Sequence, residues 1–130
     1  MPQYMLLIYQ PTVSPLTPEQ MQAEGPKWDE YTQGLQGAGV LVGGDALQPA
    51  DIATTVRARD GETHFTDGPF AETKEFLAGY YLIECPDLDT ALDHASRMPN
   101  VAYGSVEVRP VWDRTGPPAT SREETAHAHA

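Results

Sequence analysis

Apolar and polar positions along this chain alternate in two different rhythms. Residues 3–9, Gln-Tyr-Met-Leu-Leu-Ile-Tyr, are rich in apolar and aromatic types, as a strand requires. Pro11, Pro15 and Pro18 then mark a loop. Thr17-Pro18-Glu19-Gln20 has the form of a capping box with proline at the first helical position. Met21, Trp28, Tyr31, Leu35 and Ala38 follow at helical spacing, which predicts a helix with one apolar face. Gly25-Pro26 should kink or briefly break it, because proline removes a backbone donor and crowds the preceding turn. Gly37-Ala38-Gly39 supplies the stop.

Val40-Leu41-Val42 begins a second strand, with a bulge or turn expected at Gly43-Gly44. Thr54–Arg59 and Glu62–Thr66 flank Asp60-Gly61, a strong two-residue hairpin signal. Gly79–Cys85 reads as a strand ended by Pro86. Asp87 is placed to cap a second helix with a stripe of Leu88, Ala91, Leu92, Ala95 and Met98. Pro99 closes it, and Ser105–Trp112 is the last strand. Two β-α-β halves around a hairpin predict a ferredoxin-like α+β fold with an inserted β-hairpin.

The predicted strand 79–85 is apolar or aromatic on both faces, with Tyr80 and Leu82 on one and Tyr81, Ile83 and Cys85 on the other. A sheet apolar on both sides wants a second cover, so the pattern predicts a homodimer. On the last strand Glu107 and Arg109 share one face and Val106 and Val108 the other. If the valines meet the helices, the Glu107–Arg109 pair borders the face that a second copy would cover.

Length and composition narrow the picture. A chain of 130 residues makes one domain, here residues 1–113, followed by a Gly-, Pro-, Ser- and Glu-rich segment, 114–130, without periodicity and expected to be disordered. No apolar run reaches the roughly 18–20 residues needed to span a bilayer. The N-terminus lacks a secretory signal, and the single cysteine, Cys85, forbids an intrachain disulfide; both suit the cytoplasm. The net charge is -11, and residues 1–113 hold 17 acids against six scattered basic residues. Binding to nucleic acid or to an anionic membrane needs clustered lysine and arginine, so neither partner is expected.

Candidate chemistry concentrates at Asp67-Gly-Pro-Phe-Ala-Glu-Thr-Lys-Glu75. Asp67 suits a general acid or base, and equally suits capping its own turn. Phe70 is expected to bury itself and pin the loop. Glu72, Lys74 and Glu75 either line a cavity or form a solvated charged turn. A small-molecule pocket between this loop and the sheet would use Asp67 as acid or base, Arg109 as anion clamp with Glu107 as its partner, Glu72 and Lys74 as further ligand contacts, and Tyr80 or Tyr81 as its wall. His64 could pair with Asp67 for proton transfer or be an exposed cross-strand residue. His94 and Cys85 read as structural, and His127 and His129 as adventitious metal ligands. Zinc-ligand or EF-hand spacing, a P-loop, GxGxxG and GxSxG are all missing, so no metal or cofactor is expected.

Tyr4–Tyr9, Asp67–Glu75, Gly79-Tyr80-Tyr81 and Gly104–Pro110 together resemble the YCII-related family. The similarity is to its DGPF branch, named for the four residues at 67–70. The resemblance implies a ferredoxin-like domain that pairs into a dimeric α+β barrel. Relatives include a dehydrochlorinase-type enzyme, which allows a lyase- or isomerase-type reaction with acid/base chemistry. A His–Asp pair is the proposed catalytic unit of the founding branch. This chain has no histidine before His64, so only Asp67 matches an acidic role. The branch also occurs beside extracytoplasmic-function sigma factors, which implies a non-enzymatic regulatory or interaction module as the alternative.

Overall fold

The computed structural model describes residues 1–71 and 73–113; Glu72 and the 114–130 segment, with His127 and His129, lie outside the described residues. Strands β1 (Gln3–Pro11), β2 (Leu41–Ala46), β5 (Glu75–Glu84) and β6 (Ser105–Pro110) form one antiparallel sheet in the order β2-β5-β1-β6. Helix α1 (Pro18–Gly37) joins β1 to β2, and α2 (Leu88–Ser96) joins β5 to β6. This arrangement is compatible with a ferredoxin-like α+β fold. Between β2 and β5 run β3 (Thr54–Arg59) and β4 (Glu62–Asp67), which pair with each other in a separate two-stranded sheet.

Local chemistry explains most element ends. Thr17 caps α1 through Gln20 N, and the Gln20 side chain returns to Thr17 N at 2.8 Å. Asp87 caps α2 by accepting from Thr90 N at 2.8 Å. The β3–β4 turn has positive φ at both central residues, Asp60 and Gly61, as the twist of a two-residue hairpin demands. The register of β2 against β5 slips between Leu41 and Gly43, so the bulge falls at Val42, just before the Gly43-Gly44 pair where it was expected.

Three expectations need correction. Helix α1 runs unbroken through Gly25–Pro26. Proline deprives only the Gln22 carbonyl of its donor, and both residues are exposed, so water can replace it. The apolar stripe of α1 holds only in its second half: Leu35 is buried and Trp28 and Tyr31 half-buried, but Met21 and Ala38 are exposed. Strand β5 begins at Glu75, four residues before the expected start, so Glu75 belongs to the sheet rather than to a loop.

The core lies between the helices and one face of the sheet. Tyr4, Leu6 and Ile8 of β1 and Ile83 of β5 meet Leu35 of α1 and Ala91 and Ala95 of α2. Val106 and Val108 pack on the same cluster. Tyr31 Oη donates to the His94 carbonyl at 2.6 Å and ties the two helices together.

Asn100 closes the far edge. It is fully buried, and its Nδ2 donates to the carbonyls of Tyr9 and Ser105, each at 3.1 Å. These groups sit opposite each other on β1 and β6, so one side chain joins the two strands where their ladder ends. Gly104 follows because a Cβ there would collide with the Tyr9 carbonyl. Asn100→Ala should therefore cost about 1–3 kcal/mol in urea unfolding, since the Tyr9 and Ser105 carbonyls both lose their donor.

Burial, with the Arg97 charge as the second cause, lowers the His94 pKa from its ordinary 6.5. A depressed histidine favours the unfolded, protonated chain in acid. The contribution is present above about 6.5 and is lost as pH falls below it. His94→Gln should flatten that part of the Tm–pH curve.

Candidate functional site

The Asp67–Glu75 segment is built as a strap held by its backbone. Gly68 N donates to the Ala53 carbonyl at 2.7 Å, and the Gly68 carbonyl accepts from Thr55 Oγ1 at 2.9 Å. Arg57 Nη2 donates to the Phe70 carbonyl at 3.1 Å. Further along, the carbonyls of Thr73 and Lys74 accept from Thr12 Oγ1 (2.7 Å) and Thr12 N (2.8 Å). The first half of the strap is thus anchored to β3 and the second to the segment that leaves β1. Gly68 has φ 104°, a conformation closed to side chains, which explains glycine ahead of the rigid Pro69.

Phe70 does not bury itself. It is 78% exposed, with the Arg57 guanidinium 5.2 Å from its ring centroid. The strap needs no buried side chain because hydrogen bonds to its carbonyls already hold it.

Beneath the strap lies an open cleft of about 780 Å3. Pro11, Thr12 and Val13 form one side and Ala50 and Asp51 another, while Pro69, Ala71, Thr73 and Lys74 come from the strap and Phe76 from β5. The walls are mostly apolar, with one cation and one carboxylate. Neither Lys74 nor Asp51 is ion-paired among the described residues. A largely apolar concavity with a few polar groups is the usual form of a small-molecule site.

The sheet face away from the helices forms a second region. Met5, Leu7, Tyr80 and Leu82 lie half-buried along it, and Leu77 is exposed. A polar row follows its β6 side. Ser105 Oγ donates to Glu75 Oε1 at 2.9 Å, Tyr9 Oη donates to Glu107 Oε1 at 3.4 Å, and Arg109 Nε donates to Glu107 Oε2 at 2.9 Å. Arg109 Nη2 meets the same oxygen. Exposed pairs of this kind contribute at most about 1 kcal/mol, so the row adds little to stability.

The structure brings some candidates together and separates others. Glu107 and Arg109 share a face opposite Val106 and Val108, and they bond to each other. Lys74 lines the strap cleft. Arg109 does not approach it: Arg109 faces Met5 on β1 while Glu75 faces Pro11, six residues or about 20 Å along the strand. Tyr80 and Tyr81 point to opposite faces. Tyr80 Oη reaches Asp45 Oδ2 at 3.3 Å, whereas the Tyr81 hydroxyl bonds Thr32 Oγ1 at 2.6 Å. Both border a smaller cleft of about 440 Å3 beside α1 and β2.

Asp67 ends β4, exposed, and its carboxylate accepts no hydrogen bond among the described residues. His64 stands three residues earlier, opposite Arg57, so alternation turns it to the other face of the hairpin. Cys85 is buried, and burial pushes its thiol pKa up, as expected of a core residue. Among the described residues no three His, Cys, Asp or Glu side chains cluster as a metal site would require. No described helix is long and apolar enough to cross a membrane.

The reading of residues alone missed Asp51, Tyr9, Ser105 and Thr12. Asp51 stands in a short 3-10 turn (Ala50–Ile52) with no motif around it, and Thr12 acts through a loop 61 residues distant. No local signal marks either.

A domain of two antiparallel sheets and two helices, with a backbone-anchored strap over a cleft, places this chain in a definite class. Residues 2–125 match the YCII-related domain, and the chain belongs to that family. It is similar to an uncharacterised protein of Rhizobium meliloti (strain 1021), with 54% identity over 67 residues, which is 50% of this chain and 54% of that protein. The chain thus spans about half the length of the curated relative it matches.

Gly68→Ala should loosen the strap without unfolding the core. Amide exchange at Thr12, whose N–H is held by the Lys74 carbonyl, should accelerate by about tenfold while exchange at Leu6 stays unchanged.

Proposed function

We propose that this chain is a small-molecule-binding protein of the DGPF branch that works as a homodimer, with its ligand in the cleft under the 68–74 strap. The observation that carries the reading is the strap itself. Its carbonyls are anchored on two sides by Thr55, Arg57 and Thr12, so the cleft is preformed and Lys74 is left free of any ion pair among the described residues. A preorganised, mainly apolar concavity costs little ordering when a ligand enters.

Asp67 precedes the strap with an unengaged carboxylate; it does not line the cleft, so an acid or base role in a lyase- or isomerase-type step requires a ligand that reaches beyond the lining residues to it. Asp67→Asn removes no hydrogen bond seen among the described residues. It should leave Tm within about 1 °C of the parent while abolishing turnover or weakening ligand binding. A large loss of stability would instead make Asp67 a turn cap.

Dimerisation would cover the half-buried face of Met5, Leu7, Tyr80 and Leu82, with Glu107 and Arg109 at its margin. Leu7→Glu should convert a sedimenting dimer into a folded monomer, because it places a charge at the centre of that face. A wild-type protein that sediments as a monomer at micromolar concentration would end the proposal of a homodimer and leave the cleft untouched.

A further inference from the structure

Helix α1 turns an unpacked face towards the sheet. Met21, Glu24, Gly25, Trp28 and Thr32 recur at helical spacing, yet they line two clefts rather than the core. One, of about 480 Å3, lies at the start of the helix, and the other, of about 440 Å3, lies beside β2. Gln10, Trp28 and Ala78 border both, so the clefts adjoin in one groove. Ala78 is the extra residue of a β-bulge: Ile8 faces Gly79 and Tyr9 faces Leu77, so β5 carries one residue more than β1 there. Such a bulge re-aims a side chain, and here it leaves only a methyl group where the two clefts meet.

The charged and hydroxyl groups of the groove already have partners. Tyr103 Oη donates to Glu24 Oε2 at 3.1 Å, and Lys27 Nζ meets Glu24 Oε1 at 3.1 Å. Tyr80 Oη donates to Asp45 Oδ2 at 3.3 Å, the Thr32 and Tyr81 hydroxyls bond at 2.6 Å, and Ser14 Oγ accepts from Leu16 N at 3.2 Å. Gln10 and Trp28 are the exceptions. Both are half-buried, and neither side chain makes a hydrogen bond among the described residues. They are uncharged, and they are two of the three residues that the clefts share. A ligand anion would meet Glu24 and Asp45, while a cation would have to displace Lys27 or settle for the exposed Asp45. A neutral amide leaves those pairs intact and offers Gln10 both a donor and an acceptor.

We propose that this groove is a second binding site, separate from the strap cleft, for a neutral aromatic molecule carrying one carboxamide. The ring lies against Trp28 over Ala78, and the carboxamide exchanges hydrogen bonds with the Gln10 side chain. Each cleft has the volume of a small-molecule site, and the Trp28 indole favours a planar ring beside it.

The test titrates the isotope-labelled full chain with three probes that share one ring: 2-naphthamide, 2-naphthoate (an anion) and 2-naphthylmethylamine (a cation). The chain has two indole N–H groups, Trp28 in the groove and Trp112 outside it. 2-Naphthamide should shift the Trp28 resonance and not that of Trp112. It should bind about fivefold more tightly than either charged probe, the size of one net hydrogen bond. Gln10→Leu should abolish that preference. Ala78→Leu, which fills the junction of the clefts, should weaken all three probes at least about tenfold. Gly25→Phe should do the same from the helix, where a Cβ meets nothing within 4 Å, and circular dichroism should show both variants folded.

A charged probe that binds as tightly as 2-naphthamide, or a preference that survives Gln10→Leu, overturns the proposal. So does a Trp28 resonance unmoved by every probe at millimolar concentration. Ala71→Trp obstructs the strap cleft and should leave the Trp28 shift unchanged; loss of that shift would place the probe under the strap instead.

Discussion

The central constraint is the pairing of β1 with two neighbours. Because β1 is hydrogen-bonded to β5 on one edge and β6 on the other, its alternation sets the faces of three strands. Tyr4, Leu6 and Ile8 face the helices, and the register brings Ile83, Tyr81, Val108 and Val106 to that side with them. Met5, Leu7 and Tyr9 face away, and Leu82, Tyr80, Arg109 and Glu107 follow. A slip of one residue would send the core to the open face and the Glu107–Arg109 pair into the helices. Asn100 secures the β1–β6 end of this arrangement by holding a carbonyl of each strand.

The strap depends on that sheet but adds a different kind of order. Its position is set by hydrogen bonds to carbonyls rather than by buried side chains, which explains how Phe70 can stay exposed and how Lys74 can serve a cleft. A loop fixed through its backbone needs no buried side chain to hold it. The opening residues of the motif fit this role. Gly68 supplies the required φ and Pro69 stiffens the next step; of the described charged residues, Glu75 accepts from Ser105 Oγ, while the Asp67 and Lys74 side chains make no hydrogen bond or ion pair among the described residues.

Much of the fold could be read from local chemistry. The Thr17–Gln20 box, the Asp87 cap and the Asp60-Gly61 turn all appear where turn and cap preferences put them, because each signal acts over a few residues. The site was less legible. Lys74 was identified from its loop, yet its opposite charge, Asp51, comes from another element, and the strap's anchors lie in β3 and in the exit from β1. Expectation failed where a rule of local preference met an exposed site. Pro26 sits on a wet helix face that tolerates a missing donor, and Phe70 had no core within reach.

The amino-acid sequence by itself determined which residues could form strands, helices and tight turns, and which faces of those strands were apolar. That follows from periods of about 2 and 3.6 residues and from the few residues that fit special backbone angles. Only the tertiary structure decided that Arg109 and the strap lie at opposite ends of the sheet, and that Thr12 anchors Thr73 and Lys74. It also decided that Asp51 and Lys74 line one cleft. Distances between residues remote along the chain are set by strand order and register, and no local pattern encodes either.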